Sequence, residues 1–307
     1  MRRETGVASP RAWRWAAGAF AWLLLSSGAR VARAQAPLPL LRARRLAATA
    51  PVKVFFPAGA LTIETWDRDS IDARGRIARG EQFYLAGDAR GVKVGIMEHA
   101  DGSPVGPSTL VLRVPRRSDV SAKTVTASID ARGASGWFYS VSGPIRLTGS
   151  AASIEVESMA GEVSLDVAAP WVRARTGGGR LVISGAPEDL DAATVRGPLE
   201  VMHAAVVRGR FASVDGDIRF SGVPPPGGVF DFSNHAGGVG LVLPDSASAL
   251  VDLSTIIGTI ENGFTQVRPA AGQSGPGGSL RLRLGLGASR VTVRTFKGTI
   301  TLVKQAP

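Results

Sequence analysis

The stretch that decides the fold is Ser140-Val-Ser-Gly143-Pro-Ile-Arg-Leu147, because it returns as Ser158-Met-Ala-Gly161-Glu-Val-Ser-Leu165, Thr176-Gly-Gly-Gly179-Arg-Leu-Val-Ile183 and Ser213-Val-Asp-Gly216-Asp-Ile-Arg-Phe220. Working outward, the glycines run Gly143, Gly161, Gly179 and Gly197 at intervals of 18, then Gly216, Gly237, Gly258, Gly278 and Gly298 at intervals of 19, 21, 21, 20 and 20. Upstream, Val52, Val54 and Phe56 before Gly59, with Leu61 and Ile63 behind it, match the same pattern. A period of this size marks a stacked repeat architecture.

Two places after each glycine stand Ile145, Val163, Leu181, Leu199, Ile218, Val239, Ile260, Leu280 and Ile300; four places after, the column is apolar except for Asn262. Alternation of period two is that of a strand with one buried face. Five places before the glycine the column is again apolar, from Phe138 and Val156 to Val293. Three places before it stand Ser140, Ser158, Thr176, Thr194, Ser213, Asn234, Thr255 and Thr295, a polar ladder on the inward phase. Each repeat therefore reads as strand, glycine corner, strand, turn. The alternation slips by one residue at the corner, which a positive φ would allow and glycine tolerates.

One repeat buries too little apolar surface to offset its own ordering, so neighbours must share ladders and core. Two all-β arrangements fit: a single-stranded parallel β-helix or β-solenoid with about 18–21 residues per turn of the chain, or an antiparallel β-meander of hairpins, in which Asp215-Gly216 would be a good turn. The solenoid is preferred, because it covers the apolar face by construction whereas a long meander leaves it bare.

Residues 1–34 read as an export signal: Arg2, Arg3, Arg11 and Arg14, an apolar run from Trp15 to Leu25, and Ala32-Arg33-Ala34 before a cleavage near Ala34-Gln35. The whole chain carries a formal charge of +11, but this segment holds six arginines and one glutamate, so the mature part is only +6. Its basic residues alternate with apolar ones, as in Arg281-Leu282-Arg283, which is the pattern of a solvated face. Nucleic acid is not an expected partner, since it would want a concentrated basic stripe with stacking aromatics and only Arg173, Arg175, Arg196, Arg208 and Arg210 hint at one. Cysteine is absent, which excludes disulfides, a lipid-bearing cysteine and thiol chemistry. No transmembrane helix is expected after the signal, since no further apolar run nears spanning length, and the mature chain should be soluble or peripherally attached.

Residues 35–50 read as a flexible lead-in and 51–304 as one domain, with irregular repeats over 66–135 and regular ones over 136–302. Within the irregular part, strands are predicted at Ser70–Ala73, Phe83–Leu85, Val92–Ile96 and Leu110–Val114. Val223-Pro-Pro-Pro-Gly-Gly228 reads as an insertion in a turn.

The opening Gly59-Ala-Leu-Thr-Ile-Glu-Thr-Trp66-Asp67, the repeated Ser-Val-Ser-Gly143-Pro-Ile, Ser-Met-Ala-Gly161-Glu-Val and Ser-Val-Asp-Gly216-Asp-Ile, and Leu-Val-Leu-Pro244 before the closing repeats resemble the putative adhesin family of bacterial envelope proteins, also called the toastrack domain. The resemblance covers residues 50–304. It implies a β-solenoid at the cell envelope, linked in relatives with surface attachment or membrane-stress systems, and it carries over no catalytic residue.

The residues themselves offer little for catalysis. His99, His203 and His235 have no second ligand at metal spacing, and no Gly-x-Ser-x-Gly elbow occurs. A polysaccharide lyase or hydrolase would need carboxylates from neighbouring repeats, and Glu155, Glu157, Glu162, Asp166, Asp215 and Asp217 are available, but outward charges are also what solubility requires. No catalytic, cofactor-binding or metal-binding residue is therefore assigned. The expectation is a non-enzymatic, exported, adhesin-like module in the periplasm or at the surface, whose partner is an envelope protein or polysaccharide. Its last repeat, Gly298-Thr-Ile-Thr-Leu302, is expected to form an open end suited to self-association.

Overall fold

The computed structural model describes residues 38–202, 204–264, 270–271 and 277–305. The expected signal, the cleavage site and His203 lie outside the described residues. The compact unit Ala36–Pro307 contains every described element, and all of these are strands. In chain order they are β1 (Leu38–Arg45), β2 (Val52–Phe56), β3 (Gly59–Trp66), β4 (Ser70–Ile77), β5 (Phe83–Asp88), β6 (Gly91–Ile96), β7 (Ser108–Pro115), β8 (Asp119–Thr124) and β9 (Ser128–Arg132). The middle of the chain forms β10 (Ser135–Ser140), β11 (Ile145–Ser150), β12 (Ile154–Ser158), β13 (Val163–Thr176), β14 (Leu181–Thr194), β15 (Leu199–Met202), β16 (Arg208–Ser213) and β17 (Ile218–Ser221). The remainder is β18 (Val229–Asn234), β19 (Val239–Leu243), β20 (Ala249–Thr255), β21 (Thr259–Asn262), β22 (Ala270–Ala271), β23 (Gly278–Leu284), β24 (Ser289–Thr295) and β25 (Thr299–Lys304). They make one mixed, nearly barrel-shaped sheet.

Through the repeats the pairing is parallel, and equivalent residues face each other: Ile145 lies opposite Val163, Val163 opposite Leu181, Leu181 opposite Leu199 and Leu199 opposite Ile218. A meander of hairpins would pair these strands in the opposite sense, so that alternative fails here. Alternate residues fill one continuous apolar core, including Phe138, Val156, Val163, Leu181, Phe211 and Phe232. Phe211, Phe220, Phe230 and Phe232 cluster in this core, with Phe211 stacked on Phe232 at 4.7 Å and Phe230 edge-on to Phe220 at 5.4 Å.

The glycine corners need glycine for a different reason from the one expected. Among the corner glycines only Gly59 and Gly298 have φ in the left-handed region. Elsewhere the constraint is stacking, because a Cβ at Gly161 would overlap the carbonyl oxygen of Gly143, one at Gly179 that of Gly161, one at Gly197 that of Gly179, and one at Gly216 that of Gly197. The spine begins at Ala127, whose carbonyl oxygen lies against Gly143.

Four further expectations are corrected. First, residues 38–45 of the lead-in form β1, paired antiparallel with β4; its side chains are mostly exposed on both faces, so it carries no apolar alternation to read. Second, the regular stack starts before residue 136: β6 and β7 pair in parallel with β2 and β3, which pair in parallel with β8 and β9. Two of those repeats lack the marker residue: Ser108 stands opposite Gly59 in the β6–β7 repeat, and Ala127 stands where later copies have glycine in the β8–β9 repeat. Third, Gly278 is not a corner. It begins β23, which runs antiparallel on β20, with Leu280 opposite Leu253 and Leu282 opposite Val251, and period-two alternation is the same whichever way a strand runs.

Fourth, the last repeat is not an open end. β24 lies between β18 and β20, and β25 lies between β19 and β21, so the final chain segment is inserted inside the stack. The outer place at that end is taken by the earlier β20 and β21, with antiparallel β23 beyond β20. At the other end, antiparallel β4 and β5 flank β7 and β6. Asn262, the break in its column, is the last residue of β21, where its Oδ1 accepts the Phe264 N–H at 3.0 Å.

Candidate binding surface

The parallel register sorts outward side chains into rows. On the strands that precede each corner, one row runs Ser121, Trp137, Glu155, Arg173, Asp191, Arg210 and Asp231; the next runs Lys123, Tyr139, Glu157, Arg175. Charge alternates along the first row. Arg173 lies 3.6 Å from Glu155 and 3.7 Å from Asp191, and Arg175 lies 3.6 Å from Asp191. Trp137 and Tyr139, two residues apart on β10, stack at 5.5 Å with their rings inclined by 15°, and the Lys123 ammonium sits 5.8 Å from the Tyr139 ring centre. Both rings are half-buried, which leaves an aromatic step on a rigid strand beside carboxylates and a cation.

Inside, Ser140, Ser158, Thr176, Thr194, Ser213 and Asn234 face one another in sequence across adjacent strands, and Thr295 then separates Asn234 from Thr255. All eight are buried, and Thr124 extends the column below Ser140. Thr176 Oγ1 donates to Thr194 Oγ1 at 3.1 Å, Thr194 Oγ1 to the Gly197 carbonyl at 2.9 Å, and Ser158 Oγ to the Gly161 carbonyl at 2.8 Å. Asn234 Nδ2 donates to the Gly216 carbonyl at 2.9 Å, and its Oδ1 accepts the Gly237 N–H at 3.0 Å. Ser158, Thr194 and Asn234 thus hold peptide groups of the corner.

The histidines occupy separate settings. His235 stacks on Phe296 at 4.9 Å with an interplanar angle of 2°. His99 has Nδ1 2.7 Å from Ser103 Oγ and Nε2 2.9 Å from Glu81 Oε2, while Glu81 Oε1 accepts the Gly106 N–H at 2.7 Å. This cluster ties the loop before β7 to the turn before β5. The Asp101 carboxyl within it is held below its ordinary pKa by the Ser103 backbone N–H. No sequence signal announced the Glu81 and His99 contact, because only the packing of the loop brings them together. Among the described residues no three His, Cys, Asp or Glu side chains converge in a way that could hold a metal ion. The same residues include no helix long and apolar enough to cross a membrane.

A third feature lies where β20, β23 and β24 meet. Leu250, Asp252, Arg281, Arg283, Arg290, Thr292 and Arg294 line an open cleft of about 590 Å³. Arg281 pairs with Asp252 at 3.0 Å, whereas Arg290 and Arg294 carry no ion pair among the described residues.

Fold and surface together define an all-β repeat protein whose outward chemistry is arranged in rows. No family model matches the chain, and no curated protein matches it. Solved structures at low sequence identity share its fold. It is similar to a putative lipid binding protein from Parabacteroides distasonis at 8% identity and a TM-score of 0.51, over 87% of this chain and 97% of that one. Weaker superpositions relate it to a putative adhesin from Parabacteroides merdae, at 10% identity and a TM-score of 0.44 over 87% of this chain and 96% of that one. A putative adhesin from Bacteroides fragilis gives 11% identity and a TM-score of 0.39 over 87% and 97%.

Proposed function

We propose that residues 51–304 form a single-stranded parallel β-solenoid, exported behind residues 1–34, that acts without catalysis as an adhesin-like binding module at the bacterial cell envelope. The parallel register of corresponding residues between β2 and β8, β11 and β13, and β19 and β25 supports the solenoid, because equivalent side chains then stack and each inward column is covered by its neighbours. In this reading the corner glycines and the buried Ser/Thr/Asn column are structural devices: the glycines let rungs approach, and the ladder satisfies corner peptide groups that are shut away from water.

The observation that carries the binding role is the Trp137 and Tyr139 step. Aromatic faces presented on a rigid strand match the apolar C–H face of a sugar ring, while the flanking Lys123, Glu155 and Glu157 suit its hydroxyls. The partner is therefore an extended polysaccharide of the envelope, lying across successive rungs.

Titration calorimetry of the protein with a panel of envelope polysaccharides tests this. At least one polymer should bind, and Trp137→Ala should weaken that binding at least tenfold, the cost of about 1.4 kcal/mol of lost stacking. Sustained release of new reducing ends or unsaturated uronates from the same panel would instead make the protein a carbohydrate-active enzyme.

A further inference from the structure

The cleft at the β20–β24 end has a second component beside its arginines. The turn joining β23 to β24 is Gly285-Leu286-Gly287, and both glycines have positive φ, 51° and 71°. Between them Leu286 is 82% exposed, the most exposed large apolar residue described. The turn is held, not loose: Gly287 N–H donates to the Leu284 carbonyl at 3.0 Å, and Arg283 Nη2 donates to the Leu286 carbonyl at 2.9 Å. A neighbouring loop braces it, since Gly227 N–H donates to the Ala288 carbonyl at 2.8 Å. The Leu250 side chain lies against Gly287 and is itself 43% exposed.

An apolar tip held away from the core gains nothing from folding and loses in water. Next to it stand Arg283, Arg281, Arg290 and Arg294, of which Arg281 alone pairs with the cleft's Asp252. The register explains the gathering: Arg290 and Arg283 both face Leu250 from opposite sides, and Arg294 and Thr292 continue the same outward phase. An anionic polymer in solution would use the arginines and leave Leu286 in water. Single-stranded nucleic acid would want stacking rings, and the cleft lining has none.

We infer that this end of the molecule docks peripherally on an anionic lipid surface, with Leu286 entering the headgroup and acyl boundary and Arg283, Arg290 and Arg294 engaging lipid phosphates. Leucine at the tip supplies the apolar contact that interfacial binding requires. Guanidinium groups give forked hydrogen bonds to phosphate oxygens, and each basic residue near an anionic bilayer strengthens attachment about fivefold. This surface is separate from the Trp137 step, so either can fail without the other.

The test is co-sedimentation of the protein from Ala36 onward, the compact unit that holds the whole sheet and core, with vesicles of phosphatidylcholine alone or mixed with phosphatidylglycerol. Binding is expected only with phosphatidylglycerol and should fall as salt rises. Arg290→Gln and Arg294→Gln should each lower the partition coefficient about fivefold. Leu286→Ser should lower it about tenfold, with an unchanged melting temperature because the residue is 82% exposed. Equal binding to both vesicle types overturns the inference. So does loss of binding in the arginine variants with full binding by Leu286→Ser, which would mark the cleft as a site for a soluble polyanion, and so does failure of every vesicle to bind.

Discussion

The carbonyl oxygen of Gly143 occupies the space that a Cβ on Gly161 would need. The contact is between backbones of adjacent repeats, so neither side can move without shifting the parallel ladder on both flanks. Gly161→Ala should therefore destabilise the protein by about 2–4 kcal/mol, the range of overpacked core sites. Gly178→Ala is the control, because a Cβ there would lie 4.0 Å from the nearest backbone oxygen, that of Met159. It should change stability by no more than about 1 kcal/mol, and in the stabilising direction if it shifts at all. Urea midpoints of the two variants decide the matter; equal shifts would refute the stacking explanation.

Inward and outward phases of one repeat should respond unequally to charge. Val163 and Leu181 are fully buried opposite each other, so Val163→Asp or Leu181→Asp places a carboxylate in the core and should cost several kcal/mol, about 3 or more. Glu155 is a partly exposed member of a loose pair with Arg173 at 3.6 Å, and Glu155→Ala should cost less than about 0.5 kcal/mol. Comparable losses in chemical denaturation would show the phases to be misassigned.

The buried hydroxyl column is not uniform, and substitutions along it should expose the difference. Thr194 both accepts from Thr176 and donates to the Gly197 carbonyl, so Thr194→Val leaves polar groups unpaired and should cost about 1–3 kcal/mol. Ser213 Oγ is buried and meets no hydrogen-bond partner among the described residues. Its removal in Ser213→Ala should be neutral or stabilising, because the native hydroxyl is already desolvated without return. Thermal melts of both variants, run side by side, provide the check.

Acid should weaken the fold through exposed carboxylates with fixed partners. Asp67 is held below its ordinary value of 3.8, first by the hydrogen bond from Arg116, which donates at 2.9 and 3.1 Å. Asp88 is lowered first by the Arg90 backbone N–H, and Asp101 by that of Ser103. A depressed folded value means the unfolded chain binds the proton more readily. The stabilisation is full above 3.8 and is lost as the pH falls below it through the folded value. Urea midpoints should stay level from pH 7 to about 5 and decline below about 4, less steeply in Asp67→Asn.

Much of this architecture was legible in one dimension because its physics is periodic. Alternate apolar residues at intervals of 18 to 21 specify strands, their buried faces and the neighbour each must meet, and the Ser/Thr/Asn column marks where those strands turn. What the period could not convey is direction, order and contact between unlike segments. Leu280 and Leu282 alternate as well as any repeat, yet β23 runs antiparallel, since alternation has no sense of direction. Residues 289–304 match their predecessors and still enter the stack two places early, because alternation records which face of a strand is buried and not which neighbour it meets. That insertion is what sets Arg290 and Arg294 beside Leu250 and Arg283. The sequence determined the repeat and its inward face by local alternation; the tertiary structure alone decided the ends and the arginine cleft, because those rest on contacts between segments that no periodicity relates.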